Sequence, residues 1–338
     1  MHWRFRLCTI MIYKLQPTRV YRSYYGGMNL DTIQNVNPPE NSRFPEDWLA
    51  SVTTAFNPGR NVPYEGLSKT TDGIFLKDII EENKEEMIGE HESMSILFKL
   101  LDAAERLAIQ VHPTIEFAKK HFNSNYGKTE CWYMLNDGGE VYLGFKEGIT
   151  KEYWKSLFDS QDIEKMLGCM HKFEVKKGDF IFVEGGVPHA IGKGCFLAEL
   201  QEPTDLMVIP EKVTPSGIEL PEQKLHGGLG FEKMFDCFVY DGKSKPETKE
   251  KYFITPKAID ENASVLVDST ITDKFRLFKI ECKQNATFKT DSYAIAVVTD
   301  GSASINGTEM KIGDRVFISE KENILNIEGN GQVLVCMP

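Results

Sequence analysis

Apolar and polar residues alternate in short runs over much of this chain, the period-two pattern of strands that bury one face. The clearest runs are FEVKKGDFIFVEGG at 173–186 and YAIAVVTDGSASINGTEMKIGDRVFIS at 293–319, cut by Gly-Asp, Asp-Gly and Asn-Gly pairs that favour tight turns. Two stretches follow the helical period instead. The segment 75–89, FLKDIIEENKEEMIG, predicts a short amphipathic helix closed by Gly89, and 151–170, KEYWKSLFDSQDIEKMLGCM, predicts another. Residues 38–70 are rich in Pro, Gly, Asn and Ser and predict loop with short ordered pieces. The polar stretch DGKSKPETKEK at 241–251 has little to bury and marks a domain boundary. Together these elements predict a mostly β chain in two units, 1–245 with a helical insertion near 151–170, and 246–338.

A length of 338 residues suits roughly two domains, and 41% hydrophobic with 26% charged residues is the mix of a soluble globular protein. Lys plus Arg number 39 against 50 Asp plus Glu, a formal net charge of -11. Such a chain has no global field to attract nucleic acid or an anionic membrane, although a few local cations can still favour an anionic small substrate inside a pocket. No apolar run approaches the ~20 residues of a membrane span. The start, MHWRFRLCTIMIYKLQP, has a basic head but a short apolar stretch and no small-residue cleavage site, so it is not read as a signal, and Met11 is a candidate start. Cysteines at 8, 131, 169, 195, 237, 282 and 336 form no CxxC pair. Their odd count and scatter predict reduced, mostly buried thiols in a cytoplasmic protein. The sequence leaves the oligomeric state open.

One repeat changes the picture. Lys177-Gly178-Asp179-Phe180-Ile181-Phe182 is echoed by Ile312-Gly313-Asp314-Arg315-Val316-Phe317, each a Gly-Asp turn launching a strand. The first copy runs on to Gly186 and His189; the second has Ile324 at the place of His189. The spacing from Gly178 to Gly186 to His189 resembles the second motif of cupins, with Glu184 in place of its usual Pro. That likeness implies two cupin-type antiparallel jelly rolls, of which only the first carries a polar ligand at this point.

A second constellation joins it. In Gln110-Val111-His112-Pro113 the side chains of Gln110 and His112 share a face on a strand but diverge by ~200° on a helix. Pro113 fits a strand leaving a pocket rim. Glu130 opens the β-like run to Leu135, so a neighbouring strand can bring its carboxylate to the same place, and His189 arrives from the Gly-Asp unit. Two imidazoles, a carboxylate and an amide oxygen suit zinc or another divalent ion. Histidines 2, 91, 121, 171 and 226 lack such a setting.

The ordered blocks LFKLLDAAERLAIQVHP, GKTECWYML, GDFIFVEGGVPHAIGKG and LAELQEPTD, within residues 13–210, resemble the type I mannose-6-phosphate isomerases, particularly the short bacterial form. The resemblance implies one zinc per chain at Gln110, His112, Glu130 and His189. It implies further that Lys99, Lys128 and Glu199 face the pocket and that Glu46 and Trp48 border it. Glu199 is then the candidate base, Lys128 the candidate stabiliser of oxygen charge, and Lys99, Lys193 and Asp205 the candidate substrate-binding residues. Two departures stand out. Ala108 occupies the family's usual Ser place, and Ile209 the place of an Arg implicated in catalysis or phosphate binding. An aliphatic residue cannot replace a guanidinium on phosphate, so another cation serves (Lys193, Lys212 or Lys224) or the substrate differs. The expected activity is interconversion of mannose 6-phosphate and fructose 6-phosphate. The alternatives are a same-family isomerase of another or unphosphorylated sugar, or a metal-holding sugar-binding cupin without turnover.

Overall fold

A computed structural model describes residues 11–60 and 62–338. Cys8 and the basic head of the N-terminus lie outside the described residues. The architecture is three antiparallel sheets with short helices around them, as the mostly β reading expects. A six-stranded sheet runs in the order Arg19–Val20, Glu46–Leu49, Leu97–Asp102, Phe196–Gln201, Glu130–Met134, Phe180–Val183. A three-stranded sheet joins Met170–Glu174, Glu140–Phe145 and His189–Ile191. The C-terminal residues form an eight-stranded sheet built on the long strands Arg276–Lys289, Ala294–Ile305 and Ile324–Met337. Its edge is the strand Ile12–Leu15, paired with Arg315–Ile318, so the first strand of the described residues completes the C-terminal sheet.

Strand alternation explains where the core and the site lie. Successive side chains point to opposite faces, and directly paired residues share a face. In Leu97–Asp102 the even positions Phe98 and Leu100 pack with Cys131, Tyr133, Ala198 and Leu200 against Leu277, Ile295, Phe317 and Leu334 of the C-terminal sheet. The odd positions include Lys99, which pairs with Glu199 and with Trp48. Glu199 pairs in turn with Trp132, and Gln201 with Glu130. That face is therefore apolar at Leu101, Trp132, Met134 and Leu197, and charged where Lys99, Glu130 and Glu199 sit. Asp47, on the opposite face from Glu46 and Trp48, forms a buried ion pair with Arg315 of the C-terminal sheet at 2.6 Å.

Several local readings are refined. The 75–89 helix is present but broken at Asn83 into Leu76–Glu82 and Lys84–Ile88, and Gly89 ends it at φ +59°. The 151–170 helix is likewise two, Lys151–Ser160 and Ile163–Gly168, separated by Gln161 in the left-handed region and recapped by Asp162. Asn306-Gly307 makes the expected tight hairpin, both residues at positive φ. Asp300-Gly301 makes no turn: it pairs with Gln332 and Gly331 within one continuous strand, just past a bulge at Thr299. The 241–251 stretch requires correction, because Lys245–Tyr252 is a helix. A Ser244/Glu247 capping box and Pro246 start it, and Tyr252 buries its far end. The six described cysteines are all buried and unpaired.

Candidate metal centre and its cavity

The segment Ala103–Ile109 is irregular despite its helix-forming residues, and Gln110 and Val111 then bridge as a strand. Gln110 and His189 exchange both backbone hydrogen bonds, each at 2.9 Å, so their side chains lie on the same face. Beyond Pro113 the chain is held tightly. A Cβ on Gly127 would come within 2.6 Å of the Pro113 carbonyl oxygen and one on Gly185 within 2.7 Å, which is why glycine stands at both places. This clasp brings Lys128 and Glu130 from one side and the His189 turn from the other.

His112, Glu130 and His189 converge, with one ligand atom from each within 4.8 Å of the others. His112 Nε2 stands 3.1 Å from Glu130 Oε2, and His189 Nε2 stands 3.3 Å from Glu130 Oε1. Yet His112 Nε2, His189 Nε2 and Glu130 Oε2 are buried atoms that form no hydrogen bond. Each imidazole places its Nδ1 2.9 Å from a carbonyl oxygen, of Leu206 for His112 and Val187 for His189, which leaves the Nε2 lone pairs to the common centre. Trp132 Nε1–H donates to Glu130 Oε1 at 3.1 Å. Burial, then the charge of Lys128, depresses the His112 pKa to about 3; burial lowers that of His189 as well. Neutral imidazoles with orphaned acceptors around a carboxylate are what a divalent cation needs. The residues present fit zinc.

Gln110 lines a cavity together with Arg22, Glu46, Lys99, Lys128, Glu199, Asp205 and Lys224. Lys99 Nζ lies 2.9 Å from Glu199 and 3.6 Å from Glu46. Burial opposes the Lys99 charge, but these two carboxylates outweigh it and hold its pKa above the ordinary value. Burial, then the Glu130 charge, raises Glu199 to about 7 against the pull of Lys99 and Lys128. Burial, then Lys99, lowers the Lys128 pKa, and its Nζ lies 3.8 Å from Glu130. Asp205 is in the cavity wall but committed. It accepts from Arg22 at 3.0 Å through both oxygens and from the Phe56 N–H at 2.8 Å. Burial would raise its pKa, and Arg22 above all holds it below the usual range.

Of the residues expected at this site, Gln110, His112, Glu130, His189, Lys99, Lys128, Glu199 and Asp205 are brought together. Lys193 is not. It is exposed on the turn Gly192–Gly194, tied to Glu140, Ala103 and Asn136 beyond the end of the Phe196–Gln201 strand opposite Gln201, and it does not line the cavity. Sequence reasoning missed Arg22. Its guanidinium bonds to Glu46 at 2.8 and 3.1 Å as well as to Asp205. No motif surrounds it, and its partners are 24 and 183 residues away, so no local signal could have found it. Ala108, Met207 and Ile209 also line the cavity, which confirms that no guanidinium stands at position 209 of this wall.

Residues 35–142 match the family model of the type I phosphomannose isomerase catalytic domain. A probable mannose-6-phosphate isomerase of Bacillus subtilis (strain 168) is 30% identical over 250 residues, covering 72% of this chain and 75% of that protein. The mannose-6-phosphate isomerase of Streptococcus mutans is 32% identical over 192 residues, 56% of this chain and 57% of its own. Among solved structures, the mannose 6-phosphate isomerase from Bacillus subtilis superposes with a TM-score of 0.75 at 22% identity, covering 97% of this chain and 100% of that one. A zinc-bound mannose 6-phosphate isomerase does so at 0.74 and 18% identity, over 97% and 99% of the two chains. At these identities the structural likeness speaks to the fold.

Proposed function

The chain belongs to the mannose-6-phosphate isomerase family, and on that premise we propose that it interconverts mannose 6-phosphate and fructose 6-phosphate. One observation carries the reading: three buried ligand atoms without hydrogen-bond partners converge beside a cavity lined by the buried carboxylate of Glu199 and the ammonium groups of Lys99 and Lys128. Gln110, His112, Glu130 and His189 would hold one zinc ion. When bound, zinc polarises the sugar oxygens and lowers the cost of enediolate charge. Glu199 takes the proton from C2 of the aldose and returns it to C1 of the enediolate, while the hydroxyl proton of O2 passes to O1, giving the ketose. Burial raises its pKa above the ordinary carboxylate value, which suits a group that both takes and returns a proton. Lys99 fixes the orientation of that carboxylate through its 2.9 Å contact. The Lys128 ammonium offsets negative charge growing on the sugar oxygen.

The remaining groups set the stage for that transfer. Arg22 clamps Glu46 and Asp205 together, so the cavity wall keeps its shape while the substrate enters. We assign the catalytic unit to residues 16–254, including the helix Lys245–Tyr252 whose Tyr252 and Phe253 pack on it, and a non-metal β unit to 255–338 with the strand Ile12–Leu15 added. Reduced, buried cysteines suit a cytoplasmic enzyme. Among the described residues no helix is long and apolar enough to cross a membrane. The test is an assay of purified, zinc-loaded protein on mannose 6-phosphate, fructose 6-phosphate and the free sugars. Turnover of the two phosphates into each other is the expected result; turnover of free sugars alone, or none, contradicts the reading.

A further inference from the structure

Four cations line the cavity, and three of them are already matched. Arg22 spends its donors on Glu46 and Asp205, Lys99 on Glu199 and Glu46, and Lys128 stands beside Glu130. Lys224, on the short helix Glu222–His226, differs. It is 6% exposed, its Nζ donates to the Phe56 carbonyl oxygen at 3.0 Å, and no carboxylate pairs with it among the described residues. An ammonium has three donors, and a buried charge without a counter-ion is costly. Asp205 and Glu46 act on it only from beyond ion-pair distance, and the centroid of the Phe56 ring lies 5.9 Å from its Nζ, so the ammonium keeps donors that an anion can take.

The position of Lys224 is equally telling. The Ile209 N–H donates to the carbonyl oxygen of Leu225 at 2.8 Å, so the backbone next to Lys224 is fastened to the aliphatic wall. Ala108, Met207 and Ile209 on that wall offer no side-chain donor of their own. A cation thus returns to the same wall from a helix 15 residues further along the chain.

We propose that Lys224 receives the phosphate group of the sugar and thereby sets the preference for a phosphorylated over a free sugar. The inference rests on the isomerase reading above, and it makes Lys224 a specificity-determining residue rather than one that moves protons. Phosphate is a dianion at neutral pH, and an ammonium already stripped of water adds no desolvation cost of its own, so only the phosphate must shed water on binding. The competing role, a mere cap on the Phe56 carbonyl, predicts lost stability and unchanged anion binding.

The experiment compares the zinc-loaded wild type with Lys224→Met, Lys224→Gln and Lys224→Arg. Calorimetry with inorganic phosphate is the first readout, and kcat/KM on mannose 6-phosphate against free mannose is the second. Lys224→Met should weaken phosphate binding about 30-fold or more, and the substrate preference should fall by a similar factor. Lys224→Arg should stay within about three-fold of the wild type, because it keeps the charge. Lys224→Gln retains a donor for Phe56 but not the charge. It should behave as the Met variant does, and it decides the matter if the Met variant does not fold. Wild-type affinity for phosphate in either neutral variant, or no phosphate binding by the wild type, overturns the proposal. Failure of the wild type to turn over mannose 6-phosphate refutes the isomerase reading separately, while Lys224-dependent phosphate binding would still uphold the anion site.

Discussion

The two Gly-Asp units have the same skeleton and opposite contents. In the first, Gly178 lies at φ +90° and the Asp179 side chain accepts from the Lys176 N–H at 3.0 Å; in the second, Gly313 lies at φ +83° and Asp314 accepts from Lys311 at 3.1 Å. Even the strand-end bonds agree, Met134 N–H to the Asp179 carbonyl oxygen at 3.0 Å and Val298 N–H to that of Asp314 at 3.1 Å. Beyond the turn they part. The first unit leads to His189, fully buried beside Glu130; the second leads to Ile324, 43% exposed, and its interior is filled by Val316, Leu325, Ile327, Val333 and other apolar side chains. A jelly roll is thus a neutral frame. What its inward positions carry decides whether it is a reaction vessel or a buttress.

The largest effect should come from emptying the first frame. His112→Ala together with His189→Ala should remove stoichiometric zinc and abolish turnover, as read by elemental analysis and assay. Metal retained at full stoichiometry would break the comparison. Glu199→Gln should keep the metal and lower kcat roughly 100- to 10,000-fold, because it removes only the proton carrier. Loss of metal in that variant would show that Glu199 acts on the ligand set instead.

The second frame should respond in stability alone. Leu325 is fully buried, and Leu325→Ala should cost about 2–5 kcal/mol in denaturant unfolding while kcat/KM well below the melting point is unchanged. A kinetic defect without a stability defect would mean that the C-terminal unit reaches into the chemistry. The smallest effect is in pH. Burial, then Arg22, lowers the Lys224 pKa to about 8, with Lys128 adding to the fall and Asp205 and Glu46 opposing it. As pH rises through that value the ammonium is lost, so kcat/KM for mannose 6-phosphate should decline on the alkaline side. Lys224→Arg should abolish that decline, since a guanidinium stays protonated. A decline identical in both proteins would assign it to another group.

Much of the frame was legible because its determinants are local. Gly-Asp and Asn-Gly turns need only two or three residues to specify them, and Gln110 with His112 share a face by simple alternation. Capping chemistry was equally local at Ser244 and Glu247, so the helix Lys245–Tyr252 was there to be read; polar composition masked it. The cavity wall is different in kind. Arg22, Glu46, Asp205 and Lys224 come together only after strands and loops distant in sequence have packed, and neither the ion pairs of Arg22 nor the burial of Lys224 is revealed by any spacing. Lys193 illustrates the converse, since it stands four residues from His189 in sequence yet outside the cavity.

The central claim is that one zinc site, in the first frame only, makes this chain an isomerase. Crystals of the zinc-loaded protein measured at the zinc absorption edge address it directly. The account expects a single strong anomalous peak per chain, between the Nε2 atoms of His112 and His189 and the Glu130 carboxylate. No peak there, or a peak among residues 253–338, would contradict it.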